Sequence, residues 1–425
     1  MFQNKIHTCI FLIAGILVYS SLWAQPLEEK VDWKNLRTVQ IHKMNEPLSP
    51  PVIKLNSGEK ITLSFDDMEG GTNTFYYKLI HCNAGWEPSD LFESDYISGQ
   101  LTSEIYTSQS SFNTLMDYTH YELNIPNEDM KPTRSGNYML LVYANNNPED
   151  TVLTRKFRIS EKIIGIKGEI ESINRMTREK PNQELNLILQ TENMQINDPY
   201  NNLKIATLKN YHNERLFEHL DPSSVNGNQI SYDMNNQLIF KGGNEFHHFN
   251  SKSTDYAGEN IRKVDFKRNN FHFQLKTNED RTFQKYREKD DLNGRFSIDK
   301  ENTDHPETEA DYVYVYFTLK EATSSAEGEF YITGAFNNWK CKPENKMTYN
   351  TERKVFEKRL LLKQGYYDYK YIFKSAEEEI NPYFISGNHH QTENDYLIYI
   401  YYWDPSEGHD RLIGHTVINS GGKSY

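Results

Sequence analysis

The chain has 425 residues, with 60 Asp and Glu against 47 Lys and Arg, so its formal net charge is −13. An acidic chain is a poor partner for nucleic acid or anionic lipid, because both attract positive charge. The length is sufficient for two or three domains, each with its own hydrophobic core.

The first residues have the pattern of a secretory signal peptide. Lys5 supplies a positive start, residues 9–18 are apolar, and small residues lead to Ala24. This apolar run is too short to span a bilayer. We therefore expect residues 1–24 to be removed by cleavage after Ala24, and the remaining chain to be exported to the periplasm in soluble form.

Two cysteines remain beyond that segment, Cys82 and Cys341. They either form one disulfide in an oxidising compartment or stay as buried thiols, and isolated cysteines in strand-like regions favour thiols. The sequence has no His and Cys spacing typical of zinc sites, so we predict no metal and no cofactor.

The rest of the chain consists of short runs rich in Tyr, Phe, Thr, Val and Ile, separated by clusters of Gly, Asn, Asp and Pro. This pattern is typical of strands and turns. Strands without interleaved helices predict an all-β chain of tandem immunoglobulin-like or early-set β-sandwiches. We expect an N-terminal sandwich in residues 25–160, a middle β-rich domain in 161–310, and a C-terminal early-set-like sandwich in 311–425.

Two local patterns refine this division. The stretch SGNYMLLVY places Tyr138 after a turn that contains Gly, which predicts a tyrosine corner with the Tyr hydroxyl bonded to the backbone. The acidic run at residues 299–311 predicts a solvated linker, because charge-rich segments bury little surface. Its carboxylates also suit Ca²⁺, but the Gly-centred spacing of a calcium loop is missing.

The stretch EFYITGAFNNWK (residues 329–340), followed by LKQGYYDYKYIF (362–373), resembles the early-set module of starch-branching enzymes and glycogen-sensing kinase subunits. The matching residues are Gly334, Phe336, Asn337, Trp339, Gly365, Tyr367, Tyr369 and Lys370. A sugar site needs an aromatic face and polar groups for the hydroxyls, which Trp339, Asn337 and Lys370 would supply. No second Trp follows in the next strand, so we favour a structural role for this turn and keep carbohydrate binding as the alternative function.

The sequence contains no catalytic motif that we recognise. G-x-S-x-G, the P-loop and G-x-G-x-x-G are all absent. The pairs His247-His248 and His389-His390 do not chelate easily, because neighbours on a strand point to opposite faces. We predict that the protein is not an enzyme.

Several longer stretches, in the same order along the chain, resemble the plug proteins of the type IX secretion system of Bacteroidota. They include LNSGEKITLSFDDM, IHCNAGWEPSDL, KGGNEFHHFNSKS and DLNGRFSI. The resemblance implies a periplasmic protein held near the outer membrane by a protein partner. It would dock at the periplasmic opening of the large outer-membrane β-barrel translocon and seal that opening when no cargo is engaged.

A plug has to be released, so we expect a mixed polar and aromatic interface rather than a wholly apolar one. Binding residues concentrate on loops of rigid scaffolds. The hairpin ends at residues 241–249 and 386–396 are therefore candidate contacts, with His248 and His389 on them. Trp86, in IHCNAGWEPSDL, is either buried at the edge of the first sandwich or an interface anchor.

Overall fold

The structure, a computed structural model, describes residues 25–173, 182–233, 237–320 and 327–423. The predicted signal peptide at residues 1–24 lies outside these ranges. The described chain is built from antiparallel sheets with three one-turn α-helices and two short 3₁₀ turns, which confirms the all-β prediction. Among these helices, none is long and apolar enough to cross a membrane.

The N-terminal sandwich contains the first twelve strands. These are β1 Lys30–Val31, β2 Leu36–Lys43, β3 Val52–Lys54, β4 Ile61–Asp67, β5 Phe75–Cys82, β6 Ile97–Gly99, β7 Ser103–Glu104, β8 Thr107–Ser110, β9 Thr119–Ile125, β10 Met130–Pro132, β11 Gly136–Ala144 and β12 Thr151–Ser160, with helix α1 at Glu93–Tyr96. One sheet has the order β1-β12-β11-β5-β7, with β3 parallel to β12, and the facing sheet has the order β2-β4-β9-β8.

Strand β9 illustrates the sequence pattern of these strands, in which buried and half-buried residues alternate. Thr119, Tyr121, Leu123 and Ile125 point inward, and the residues between them face away from the core. The hydroxyl of Tyr138 donates a hydrogen bond to the Arg134 carbonyl at 2.9 Å, so the predicted tyrosine corner is confirmed.

The chain then begins a second sandwich. Its first part comprises β13 Gly165–Ile173, β14 Asn182–Gln190, α2 Pro199–Asn202, β15 Leu203–Lys209, β16 His212–Phe217, β17 Ser224–Asn226, β18 Gln229–Tyr232 and β19 Ile239–Lys241. One sheet is complete at this point, with the order β13-β14-β18-β17 and β19 added to β14. The other sheet has only β15 and β16 so far.

A third sandwich follows before the second is finished. It comprises β20 His247–Asn250, β21 Ile261–Lys267, β22 Asn270–Leu275, β23 Phe296–Ile298, α3 Pro306–Glu309, β24 Tyr312–Lys320, β25 Gly328–Thr333, β26 Thr348–Asn350, β27 Val355–Lys363, β28 Gly365–Ser375 and β29 Ile380–Asn381, with 3₁₀ turns at Ala335–Asn337 and Pro343–Asn345. One sheet has the order β21-β22-β24-β27-β26, and the other is centred on β28. A second tyrosine corner joins the Tyr367 hydroxyl to the Lys363 carbonyl at 2.7 Å.

The last two strands, β30 Asp395–Asp404 and β31 His409–Asn419, return to the second sandwich. β30 pairs with β15 along its length and gives the sheet order β16-β15-β30-β31. We call the second unit the split sandwich and the third, residues 247–381, the inserted sandwich.

The inserted sandwich corrects the predicted domain boundary between residues 310 and 311. Two strands before this boundary pair with strands after it, β22 with β24 and β23 with β28. A sheet of β15 and β16 alone would be marginal, and the C-terminal strands complete it.

The acidic run at residues 299–311 also differs from the expectation of a solvated linker. It lies inside the inserted sandwich, between β23 and β24, and its end packs against the N-terminal sandwich. The Leu115 amide donates to Asp311 Oδ1 at 2.6 Å, and the Tyr118 hydroxyl donates to the Ala310 carbonyl at 2.9 Å. Within the described residues no group of three or more His, Cys, Asp or Glu side chains is arranged to hold a metal ion.

Candidate interaction surfaces

Trp339 lies in the turn that follows β25, and its ring is covered from within the protein. The indole stacks on the imidazole of His212, with ring centroids 4.0 Å apart and planes 9° from parallel. Phe246 lies beside it, 5.6 Å between centroids. Burial lowers the pKa of His212 to about 3, so the stacked ring is neutral. One face of Trp339 is therefore used to join the inserted sandwich to the split sandwich.

The other two residues of the predicted sugar site are also engaged inside the protein. Asn337 accepts from the Gly334 amide at 3.0 Å and donates to the Ile332 carbonyl at 2.9 Å, so it forms the turn itself. Lys370 is buried with its ammonium 3.9 Å above the Phe246 ring, and burial lowers its pKa to about 8. Trp339 and Lys370 line one cavity of about 190 Å³, and Asn337 lies outside it.

Titration of maltoheptaose into the full exported chain is expected to leave its tryptophan fluorescence unchanged. The reason is that His212 already occupies one stacking face of Trp339, and that both the oxygen and the nitrogen of the Asn337 amide are bonded to the backbone of their own turn. A saturable fluorescence change that disappears in Trp339→Ala would contradict this prediction.

Trp86 is buried between the N-terminal and split sandwiches, with 4% of its surface exposed. Its ring lies 4.4 Å from the Lys156 ammonium and 4.7 Å from the Arg158 guanidinium. The indole nitrogen donates to Glu214 Oε2 at 3.0 Å. Trp86 therefore stabilises an internal interface and is not available as a partner contact.

The two predicted contact tips are packed against each other. The Gly243 amide donates to Asn388 Oδ1 at 2.7 Å, and the His389 amide donates to the Gly243 carbonyl at 2.7 Å. His248 is buried, stacks on Tyr366 and bonds to Glu259. The two candidate contact segments are therefore largely engaged with each other and with the inserted sandwich, while His389 stays half-buried. A Cβ at Gly242 would lie 1.9 Å from the His389 carbonyl oxygen, so glycine is needed for this close approach.

Cys82 and Cys341 are free thiols in the structure, the first buried and the second half-buried. Burial raises the pKa of Cys82 to about 12, so this thiol is unreactive at neutral pH.

Sequence reasoning missed a group of exposed aromatic residues in the N-terminal sandwich. Phe92 is 78% exposed, and Tyr106 and Phe112 are each 71% exposed. We call residues 91–116, which carry these side chains together with the partly exposed Leu101 and Leu115, the aromatic edge. The sequence signal that could have pointed to the aromatic edge is one Tyr and two Phe among polar residues, in a segment without the alternating apolar and polar pattern of a strand.

Strand pairing explains why the aromatic edge lies on one side of the sandwich. β7 is the outer strand of one sheet and pairs with β5, and β8 is the outer strand of the other sheet and pairs with β9. Ile105, between β7 and β8, is buried in the core. The segment therefore crosses from one sheet to the other and presents Tyr106 to solvent at the crossing point.

Comparison with known proteins assigns the N-terminal sandwich to a class of secretion-system domains. The family model for the type 9 secretion system plug protein 1st domain matches residues 36–161, which lie within the N-terminal sandwich and contain the aromatic edge. Residues 36–161 belong to the family of the type 9 secretion system plug protein 1st domain, as the sequence resemblance predicted.

A solved structure extends the similarity to the other two sandwiches. The crystal structure of a hypothetical protein from Parabacteroides merdae ATCC 43184 matches with a TM-score of 0.86 and 32% sequence identity. The match covers 93% of this chain and 100% of that chain, so the three-sandwich arrangement is shared. No curated protein matches the chain.

Proposed function

We propose that this protein is a periplasmic plug of the type IX secretion translocon. It docks at the periplasmic opening of the large outer-membrane barrel and closes it when no cargo is engaged. The support is the family match over residues 36–161 together with the exposed aromatic edge inside the same domain. The role of the family is non-catalytic, and its setting is the periplasmic side of the outer membrane.

The observation that carries the proposed docking site is the exposure of the aromatic edge. Large exposed apolar groups concentrated in one segment mark interaction sites, and aromatic residues dominate the binding energy of interfaces. Carboxylates and hydroxyls lie between these aromatics, among them Glu93, Asp95 and Glu104. Such a surface supports a specific contact that is still reversible, because its rim stays polar and hydrated.

A co-purification experiment tests this proposal. Tagged protein carrying Tyr106→Ala and Phe112→Ala is expected to lose the large barrel from detergent-solubilised outer membrane, with an unchanged melting temperature because both rings are exposed. The matched control is Phe283→Ala, which removes a ring that is 93% exposed in the inserted sandwich.

Two outcomes would count against the proposal at different levels. Retention of the barrel by the double variant would exclude the aromatic edge as the contact. Failure of the wild-type protein to co-elute with any large barrel, together with deletion cells that stay impermeable to large solutes, would overturn the plug function itself.

A further inference from the structure

A groove separates the N-terminal sandwich from the inserted sandwich. It consists of two cavities of about 720 and 430 Å³. The two cavities share the lining residues Val39, Arg155, Phe296 and Asn338, so they lie next to each other. On one side the wall is formed by residues 30–39. On the other side it is formed by the end of β27 and the turns that follow Trp339.

The larger cavity is strongly basic although the whole chain is acidic. Two carboxylate residues line it, Asp32 and Glu344. The basic residues come equally from the two walls. The N-terminal sandwich contributes Lys30, Lys34, Arg37 and Arg155, and the inserted sandwich contributes Lys340, Lys342, Arg359 and Lys363. A concave surface lined by one sign of charge raises the local concentration of ligands of the opposite sign.

Part of this positive charge is not balanced by the protein. Among the described residues, Arg37, Arg155 and Arg359 form no ion pair with a carboxylate, and Arg37 and Arg155 donate to backbone carbonyls instead. Arg155 is buried at the junction of the two cavities, and burial lowers its pKa although the charge of the nearby Glu29 carboxylate opposes that shift. A buried cation without a carboxylate partner is costly, and an anionic ligand would offset that cost.

The walls also carry unpaired strand edges. β2 is the terminal strand of its sheet, and residues 36–39 of it line the groove, although the Leu36 amide and carbonyl are already bonded to Trp33 and Arg37, and Thr38 has a φ of 50°. β27 pairs with β26 only through residues 355–357, so its residues 359–363, which also line the groove, have no strand on that side within the described chain. Such edges offer N–H and C=O groups to an added strand.

We propose that this groove, which we call the basic groove, binds an acidic polypeptide segment in extended conformation. The strand edges bond to its backbone, and the Lys and Arg side chains of the two walls bind its carboxylates. The basic residues are distributed along both walls instead of converging on one point, which favours a polymer over a small anion. The strand edges favour a polypeptide over nucleic acid, because only a peptide backbone completes their hydrogen bonds. This inference does not depend on the plug function.

Fluorescence polarisation with the full exported chain tests the basic groove. The probe is a short labelled peptide in which Glu alternates with Val, measured at low salt. Saturable binding is expected, and the double variant Arg37→Glu, Arg359→Glu should bind at least about tenfold more weakly. The control is Lys276→Glu, which reverses one exposed charge at the end of β22, outside the groove, and should bind like the wild type.

Further probes separate the source of binding. A peptide of the same charge with Pro in place of the Val residues should bind more weakly, since Pro cannot donate to a strand edge. The proposal is overturned if the Glu-Val peptide shows no saturable binding, or if the groove and control variants behave alike. It is also overturned if inorganic phosphate or oligothymidylate displaces the peptide at equal concentration, which would assign the groove to small anions or to nucleic acid.

Discussion

Replacing Trp86 by alanine is expected to lower the free energy of unfolding by about 3–5 kcal/mol. The indole is 4% exposed and fills the space between two sandwiches, so its removal leaves a cavity that the rigid strands cannot close. The cation–π contacts with Lys156 and Arg158 and the hydrogen bond to Glu214 are lost at the same time. Urea denaturation followed by circular dichroism measures the change.

Trp86→Phe is the matched control for the Trp86 prediction. It keeps most of the ring packing and removes the indole N–H, so it should cost about 1–2 kcal/mol, less than the alanine variant. An unchanged midpoint for Trp86→Ala would mean that the turn at Trp86 contributes little to stability.

The Trp86 contacts belong to a wider network that fixes the N-terminal and split sandwiches together. Arg158 stacks on the Tyr399 ring at 4.0 Å and donates to the Tyr401 hydroxyl at 2.8 Å. Tyr401 in turn donates to Asn137 Oδ1 at 2.6 Å. Buried polar networks specify one arrangement of the packed parts. The proposed plug function would benefit from this, because relative motion of the sandwiches would open a path around the protein.

Local patterns in the sequence predicted local structure well. The all-β class followed from turn chemistry and strand composition, and the Tyr138 corner followed from a Gly-containing turn before an alternating strand. Of the three residues that the early-set resemblance singled out, Trp339 and Lys370 line one cavity and Asn337 lies outside it. Each of these features depends on residues close in sequence or on a recurrent motif.

Features that depend on distant pairing were not predictable in the same way. β15 and β30 pair through residues such as Ile205 and Ile400. The alternation of inward and outward side chains along each strand would be the same with any partner strand, so it does not tell which strands pair. The hydrophobic periodicity of the sequence therefore cannot show that a whole sandwich is inserted between β15 and β30. The basic groove shares this property, because its charges come from separate segments that only the packing of two sandwiches brings together.

Replacing Asp66 by asparagine is expected to destabilise the protein by about 3–5 kcal/mol. Asp66 is fully buried at the contact between the N-terminal and inserted sandwiches. It accepts hydrogen bonds from Lys363 and Tyr312, each at 2.6 Å, and bonds to His120 at 2.7 Å. The substitution keeps the shape of the side chain but leaves the buried Lys363 ammonium without a carboxylate.

Urea denaturation measures the effect, with Asp66→Asn, Lys363→Met and the double variant that carries both substitutions. The double variant should lose less than the sum of the two, and additive losses would show that the pair is not coupled.

The pH dependence of the same variant gives an independent check on the Asp66 charge. Burial raises the pKa of Asp66, but Lys363 and His120 lower it more, so the folded-state pKa is below the ordinary value. The stability that this carboxylate contributes is therefore fully present above about pH 4 and is lost as the pH falls through its lowered pKa. The difference in unfolding free energy between wild type and Asp66→Asn should shrink as the pH falls below about 4. A difference that persists unchanged at the most acidic pH would mean that the variant acts through packing and not through the lost charge.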